Sequence, residues 1–333
     1  MIKAFVRRAD YVRRHAWTVW PYLTARKLCN LALNQMEMQV AKTRPRSFPP
    51  FLKVEATPLC HLSCGGCVHA SKSYKKTLDN KMHLTVDRLN QMIEPIIPTL
   101  IGVSLSYSGE PLLNRQVPDL VRYLHEARIS TSFSTNLSIP MSEVQAEALV
   151  GAGLDRMQIS LDGASEDTYR RYRVGGNFTL VLQNVRKLAE AKQRLGATRP
   201  NLVWKMVIFP YNAHEIPTVK RTARSLGFDS FEFVLDNDGD EKLQVKKLEN
   251  GQMVAAKKPC FWVWNTATIG WDGGVQACCK QINKIGLGNA LEEDFRTIWR
   301  GDHYAAIRSG FSRSRYGQDM HPVCRDCVGL PPR

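Results

Sequence analysis

The chain has 333 residues, with 46 Lys and Arg against 31 Asp and Glu for a formal net charge of +15, and 44% of it is hydrophobic. That composition excludes intrinsic disorder as the dominant state, and the length suits one large α/β domain with a smaller module attached. No apolar run reaches the ~18 residues that a membrane span needs. The most apolar stretch, Pro95 to Leu105, is short and interrupted by Pro98. An export signal calls for an uninterrupted apolar segment of about 7–15 residues near the start, and none is visible, so a cytoplasmic location is expected.

Residues 1–50 hold ten Lys and Arg but only two acids, Asp10 and Glu37, together with Phe5, Tyr11, Trp17, Trp20 and Tyr22. Phe5, Val12 and Val19, interleaved with Ala9, Ala16 and Leu23, form an apolar stripe at helical spacing with basic flanks. The segment reads as a basic amphipathic helical extension. It either packs on the outside of a catalytic domain or lies on an anionic membrane surface, which would make the protein peripheral at the inner membrane. Nucleic acid is the weaker partner, because no docking motif accompanies the charge.

From Phe51 onward, β-branched apolar runs alternate with amphipathic stretches. The spacing predicts strands at 51–57, 102–107, 130–136, 156–161, 202–208 and 231–235. Crossover helices are expected at 84–96, 117–127, 141–152, 179–195 and 214–226. Such β–α repetition implies a parallel sheet with its chemistry at the carboxyl ends of the strands, and six units make a partial barrel or open curved sheet over 51–236. A polar stretch marks a linker over 237–259. Residues 260–333 contain five of the nine cysteines and read as a small metal-organised module, since so short a segment struggles to supply its own core.

Clustered cysteines in a reducing compartment point to metal rather than disulfides. Cys29, which stands alone, reads as a buried structural thiol. Cys60, Cys64 and Cys67, spaced x3 and x2, follow directly on the first expected strand. Three thiolates on one loop can hold three irons of a [4Fe–4S] cube and leave the fourth open to another ligand. Zinc would want a fourth donor, for which His61 and His69 are the neighbours at hand.

This loop after a first strand resembles the radical S-adenosylmethionine (SAM) superfamily, whose members share a partial (β/α)6 barrel. The resemblance implies that SAM binds the open iron and is cleaved reductively to a 5′-deoxyadenosyl radical that abstracts hydrogen from substrate. Ser108, Gly109 and Glu110 resemble the family's glycine-glycine-glutamate segment that meets the methionine amino group. Ser134 with Asn136, and Ser160 with Asp162, resemble strand ends that hold the ribose and carboxylate of SAM, and Arg173 resembles an arginine facing that carboxylate. The residue before the third cysteine, usually aromatic in the family, is Gly66 here.

Cys260, then Cys278 or Cys279, then Cys324 and Cys327 supply four thiolates for a second site, which zinc or a fully ligated [4Fe–4S] cluster would fit. The text around them, Trp262, Trp271-Asp272-Gly273, Gly288-Asn289 and Phe295 to Trp299, resembles the C-terminal module of SPASM and twitch radical SAM enzymes. Five cysteines rather than seven suit the twitch variant with one auxiliary [4Fe–4S] cluster and Cys278 as ligand. The spacing is similar to the group that includes the aminocyclitol dehydrogenase of butirosin biosynthesis.

The resulting expectation is a radical SAM oxidoreductase. It would oxidise a sugar, cyclitol or lipid-linked alcohol and pass an electron to the auxiliary cluster, with flavodoxin or ferredoxin as external donor. A base near the barrel mouth is required, for which Lys205, Glu232 and His69 are candidates. The rival within the same chemistry is a peptide maturase forming thioether or carbon–carbon cross-links, although residues 1–50 are shorter than the recognition domain such enzymes often carry. A reading of another class is a non-catalytic iron–sulfur or zinc protein that binds nucleic acid or a partner through its basic arm.

Overall fold

In the computed structural model, residues 18–235, 246–247, 253–254, 259–278, 286–312, 317 and 320–327 are described. The stripe through Phe5, Val12 and Ala16, most of the linker, Cys279 and the side chain of Cys327 lie outside them.

Six strands occupy the six expected places: β1 (Phe51–Val54), β2 (Gly102–Ser104), β3 (Ser130–Thr135), β4 (Arg156–Ser160), β5 (Asn201–Ile208) and β6 (Ser230–Leu235). They pair in parallel in chain order. One face is apolar: Leu52, Val54, Val103, Phe133, Met157, Ile159, Leu202, Trp204 and Met206 are fully buried. The crossover helices cover that face, and each completely buried Val, Leu or Phe stabilises by roughly 1.5–3 kcal/mol. Helix Phe178–Arg194 shows the pattern, with Val181, Val185 and Leu188 inward and Asn177 capping its start by accepting from Leu180 N. Helix Glu143–Gly151 begins with a reciprocal capping box between Ser142 and Gln145.

A short pair, β7 (Lys246–Lys247) and β8 (Met253–Val254), forms its own two-stranded sheet. The C-terminal segment then adds three strands to the main sheet: β9 (Thr266–Ile269), parallel to β1, followed by the antiparallel β10 (Gly274–Gln276) and β11 (Gly286–Asn289). The order is β11-β10-β9-β1-β2-β3-β4-β5-β6, so the sheet stays open with β6 and β11 at its edges. Trp264, Trp299 and Tyr304 belong to the same hydrophobic core as the strands of the barrel.

The N-terminal region contributes helix Ala25–Gln39, and its inward face is polar: Lys27, Asn30, Asn34 and Glu37 are buried. Asn30 holds both the amide and the carbonyl of Phe48 at 2.9 Å. Asn34 donates to Trp264 O (2.7 Å), and Glu37 accepts from the amides of Arg46 and Ser47. The indoles of Trp264 and Trp299 donate to Lys42 O and Ser47 O. Residues 25–50 thus join the barrel to the C-terminal segment. Cys29 is exposed, which corrects its reading as a buried thiol. Helical geometry turns residue 29 away from the packed positions 27, 30, 34 and 37.

Candidate active site

Strands β1 and β2 end earlier than their apolar pattern suggests, because both chains leave the ladder to cross each other. At the crossing, a Cβ on Gly109 would lie 2.2 Å from Thr57 O and 2.6 Å from Leu59 O. Only glycine allows that approach. The contact is fastened by Glu110 N, which donates to Leu59 O at 2.7 Å.

The crossing fixes the loop that carries Cys60, Cys64 and Cys67, all free thiols. Each thiol meets one polar group from a different element. Asn136 Nδ2, at the end of β3, lies 3.8 Å from Cys60 Sγ, and Arg173 Nη1, after helix Glu166–Tyr172, lies 3.7 Å from Cys64 Sγ. His69 Nδ1 lies 3.4 Å from Cys67 Sγ, while its Nε2 donates to Pro58 O at 2.8 Å. His61 Nε2 donates to Ser138 O. His61 is thus turned away to Ser138, whereas His69 keeps Nδ1 against Cys67.

Burial pushes the Cys60 thiol up to about 12, and the neighbouring charges of Glu110, Cys64 and Cys67 add to the rise. Burial also raises Cys64, against the pull of Arg173. For Cys67 burial acts upward too, but the bond to His69 outweighs it and the thiol sits below its ordinary value. Burial opposes ionisation of Cys60 and Cys64 while His69 favours that of Cys67, and a cationic iron centre would stabilise all three as thiolates. The three residues fit an iron–sulfur cluster on that ground.

The other expected residues gather around this loop. Glu110 is fully buried; its carboxylate accepts from Thr135 Oγ1 (2.6 Å), Asn136 N (2.7 Å) and Leu112 N (3.2 Å). It acts as a brace between the crossing and β3. Ser108 is tied through its hydroxyl and amide to Glu55, and Ser134 Oγ donates to Gln158 at 2.9 Å. Asp162 is buried between Val207 N (2.7 Å) and Arg173 Nε (2.6 Å), which aims the guanidinium at Cys64. Ser160 stands opposite Lys205 in the ladder.

Two features were not anticipated from sequence. Glu55, read as strand, instead anchors Ser108. Tyr172 places its hydroxyl 3.1 Å from where a Cβ on Gly66 would be, with its ring against Phe209 at 4.9 Å between centroids. An aromatic ring thus reaches the loop from elsewhere at the position where the sequence has glycine; no local spacing signals this.

Beneath the loop, the concave face of the sheet is polar. Lys53, Ser104, Ser132 and Arg156 lie in one cross-strand row, Ser134 faces Gln158, and Ser160, Lys205 and Glu232 form another row. Thr268 and Gln276 continue the face onto β9 and β10. Glu232 is held by Arg156 Nη2 (3.0 Å) and Gln158 Nε2 (3.2 Å). Lys205 makes no ion pair among the described residues, and burial lowers its pKa against the pull of Glu232.

In the C-terminal segment, Cys260 precedes helix Phe261–Asn265, which leads into β9, and Cys278 follows β10. Both flank the open end of the β9–β10 hairpin, opposite the end from which the three-cysteine loop leaves β1. Cys324 lies on helix Pro322–Cys327. Cys260, Cys278 and Cys324 are free thiols, and among the described residues they do not form a group of three metal donors.

Among the described residues no three donors are drawn together around a metal position. What the fold shows is three thiols on one loop at the carboxyl end of an open parallel sheet, a donor set of the type that iron–sulfur proteins use. The family follows from comparison with known proteins: the family model described as Radical SAM superfamily matches residues 54–220, half of the chain, and the chain belongs to that superfamily. A second model, described as an iron–sulfur cluster-binding domain of the SPASM type, matches residues 260–328. Iron–sulfur clusters and SAM are accordingly its cofactors, and it is a radical SAM enzyme. Among curated relatives, the GTP 3′,8-cyclase of Alkaliphilus metalliredigens is 28% identical over 166 residues, 50% of each chain. The AdoMet-dependent heme synthase of Methanosarcina barkeri is 28% identical over 144 residues, 43% of this chain and 40% of the relative. The chain spans about half the length of the curated relatives it matches. Among solved structures, SuiB of Streptococcus suis bound to precursor peptide SuiA aligns with a TM-score of 0.62 at 16% identity, over 85% of this chain and 71% of that one. BtrN in complex with AdoMet and 2-DOIA aligns at 0.50 and 15%, over 82% and 92%. These likenesses show the fold. No helix among the described residues is long and apolar enough to cross a membrane.

Proposed function

We propose that the chain is a radical SAM oxidoreductase that converts a secondary alcohol of a sugar, cyclitol or lipid-linked alcohol to a carbonyl. When bound, SAM and the cluster at Cys60, Cys64 and Cys67 supply a radical that removes one hydrogen atom from the carbinol carbon. The substrate must then lose one proton and one electron to reach the carbonyl. The group at Cys260, Cys278, Cys324 and Cys327 would supply the electron acceptor, and flavodoxin or ferredoxin would reduce the first cluster.

The observation that carries this reading is the polar concave face lying between the two cysteine-bearing ends of one sheet. Its serines, Gln158 and Arg156 suit a hydroxyl-rich molecule. Of the three candidate bases, Glu232 is occupied by Arg156 and Gln158, and His69 by Cys67 and Pro58. Lys205, which makes no ion pair among the described residues and which burial lowers from its ordinary value, is the remaining candidate for the hydroxyl proton. Ser134, Asn136 and Ser160, with Arg173 and the Ser108–Glu110 turn, frame the SAM pocket. Glu110 and Asp162 serve there through the groups they hold.

The test is a pair of variants assayed anaerobically after cluster reconstitution. Cys64→Ala should abolish 5′-deoxyadenosine formation. Cys327→Ala should lower bound iron from about eight to about four per chain, keep 5′-deoxyadenosine formation and lose the oxidised product. Full product formation by Cys327→Ala would overturn the oxidative reading.

A further inference from the structure

Helix Ala25–Gln39 is mounted inside out. At about 100° per residue, Ala25, Leu28, Cys29, Ala32, Met36 and the capping Val40 fall within an arc of about 120°. That arc faces solvent: Leu28 is 48% exposed, Met36 60% and Val40 75%, and Trp20, just ahead of the helix, is 74% exposed. Four of the eight large hydrophobic side chains exposed among the described residues thus lie between Trp20 and Val40, Leu28 and Met36 on the helix, Val40 at its cap and Trp20 in the turn ahead of it. The opposite arc is the polar one, Lys27, Asn30, Asn34 and Glu37, and it is buried.

The orientation is not interchangeable. Turning the apolar arc inward would break the bonds of Asn30 to Phe48, Asn34 to Trp264, Glu37 to Arg46 and Ser47, and Lys27 Nζ to Arg128 O. Polar contacts hold the helix, and among the described residues nothing covers its apolar stripe. An outward apolar stripe of this length needs an occupant.

Charge selects that occupant. By sequence, the seventeen residues ahead of Thr18 carry Lys3, Arg7, Arg8, Arg13 and Arg14 against Asp10 alone, and Arg26, on the helix itself, is exposed. A second copy would bring the same basic flank and another +15 chain against it. An anionic surface with an apolar interior complements both features, and a tryptophan at the edge of the stripe suits its headgroup level. We propose that this face, from Trp20 to Val40, docks the enzyme on an anionic phospholipid surface, with the stripe entering the acyl boundary. The inference stands on this helix and does not depend on the reaction assigned to the barrel.

The test is cosedimentation of the full chain with vesicles of phosphatidylglycerol and phosphatidylcholine, compared with phosphatidylcholine alone. Binding is expected only with the anionic vesicles, weakening as salt rises. The double variant Leu28→Ser/Met36→Ser leaves every polar bond of the helix in place and should melt like the wild type while binding about tenfold less or weaker still. Three results would overturn the proposal: no binding to the anionic vesicles, equal binding by the double variant, or a lipid-free dimer that the double variant splits into monomers.

Discussion

Gly109→Ala tests whether the loop crossing governs the cluster site. The new methyl carbon would lie 2.2 Å from Thr57 O and 2.7 Å from Pro58 C, about 1.2 Å short of ordinary contact at 3.4 Å for the first. Those atoms are backbone, so no side chain can swing aside; the two loops must separate by roughly 1 Å. The overpacking should cost about 1–3 kcal/mol of stability, and the bond from Glu110 N to Leu59 O should stretch or break. Cys60 directly follows Leu59, so the displacement passes into the cluster loop. A misplacement of about 1 Å lowers rate by about 10²-fold. The assay is 5′-deoxyadenosine formation per bound iron, with iron content and a thermal melt measured on the same protein. Gly65→Ala, in the cluster loop itself, is the control, since a Cβ there meets nothing within 4 Å. Wild-type turnover by Gly109→Ala, or an equal loss in both variants, would refute the reasoning.

Three further outcomes follow from individual contacts. Tyr172→Ala should raise the KM for SAM by roughly tenfold with a smaller change in kcat, because it removes the ring that covers Gly66; an unchanged KM would remove Tyr172 from the pocket. Lys205→Met should leave 5′-deoxyadenosine formation intact while suppressing the carbonyl product, and undiminished product would exclude it as the proton acceptor. Glu37, although buried, is drawn down to about 2 by the Arg46 and Ser47 amides, the Ser47 hydroxyl and Lys42. A depressed carboxyl contributes stability that is present above its unfolded value of 4.5 and lost as pH falls through that toward about 2. Glu37→Gln should therefore be less stable by about 3 kcal/mol in denaturant at neutral pH, and the deficit should shrink through that acid window. A deficit independent of pH would refute this account.

How far the sequence could be read differs by element. The six strands and their helices were legible because alternation and helical spacing both report burial of one face, as at Val181, Val185 and Leu188. The three-cysteine loop was legible because its spacing survives without tertiary context. The helix at 25–39 was not, since its packed face is Asn, Glu and Lys and no apolar period points inward. Cys29 read as buried because a lone thiol usually is, and the same inversion leaves it exposed. The junction of β9 with β1 was hidden too, because the pairing joins residues more than two hundred positions apart. Tyr172 reaches Gly66 only through the fold, so the missing aromatic looked like a gap. The side chains of Glu110 and Asp162 read as ligand contacts; their bonds to Thr135, Asn136, Val207 and Arg173 join distant strands, and no local spacing announces them.

The central claim is oxidative radical chemistry on a hydroxyl-bearing substrate. The most direct measurement supplies the anaerobically reconstituted chain with SAM and reductant, adds either a membrane-lipid extract or a soluble metabolite fraction, and follows 5′-deoxyadenosine and new products by mass. The account predicts that one fraction stimulates 5′-deoxyadenosine formation and yields, in equal amount, a carbonyl compound lighter than its parent by two hydrogens. A product of unchanged mass, or a peptide cross-link in place of a carbonyl, would contradict it.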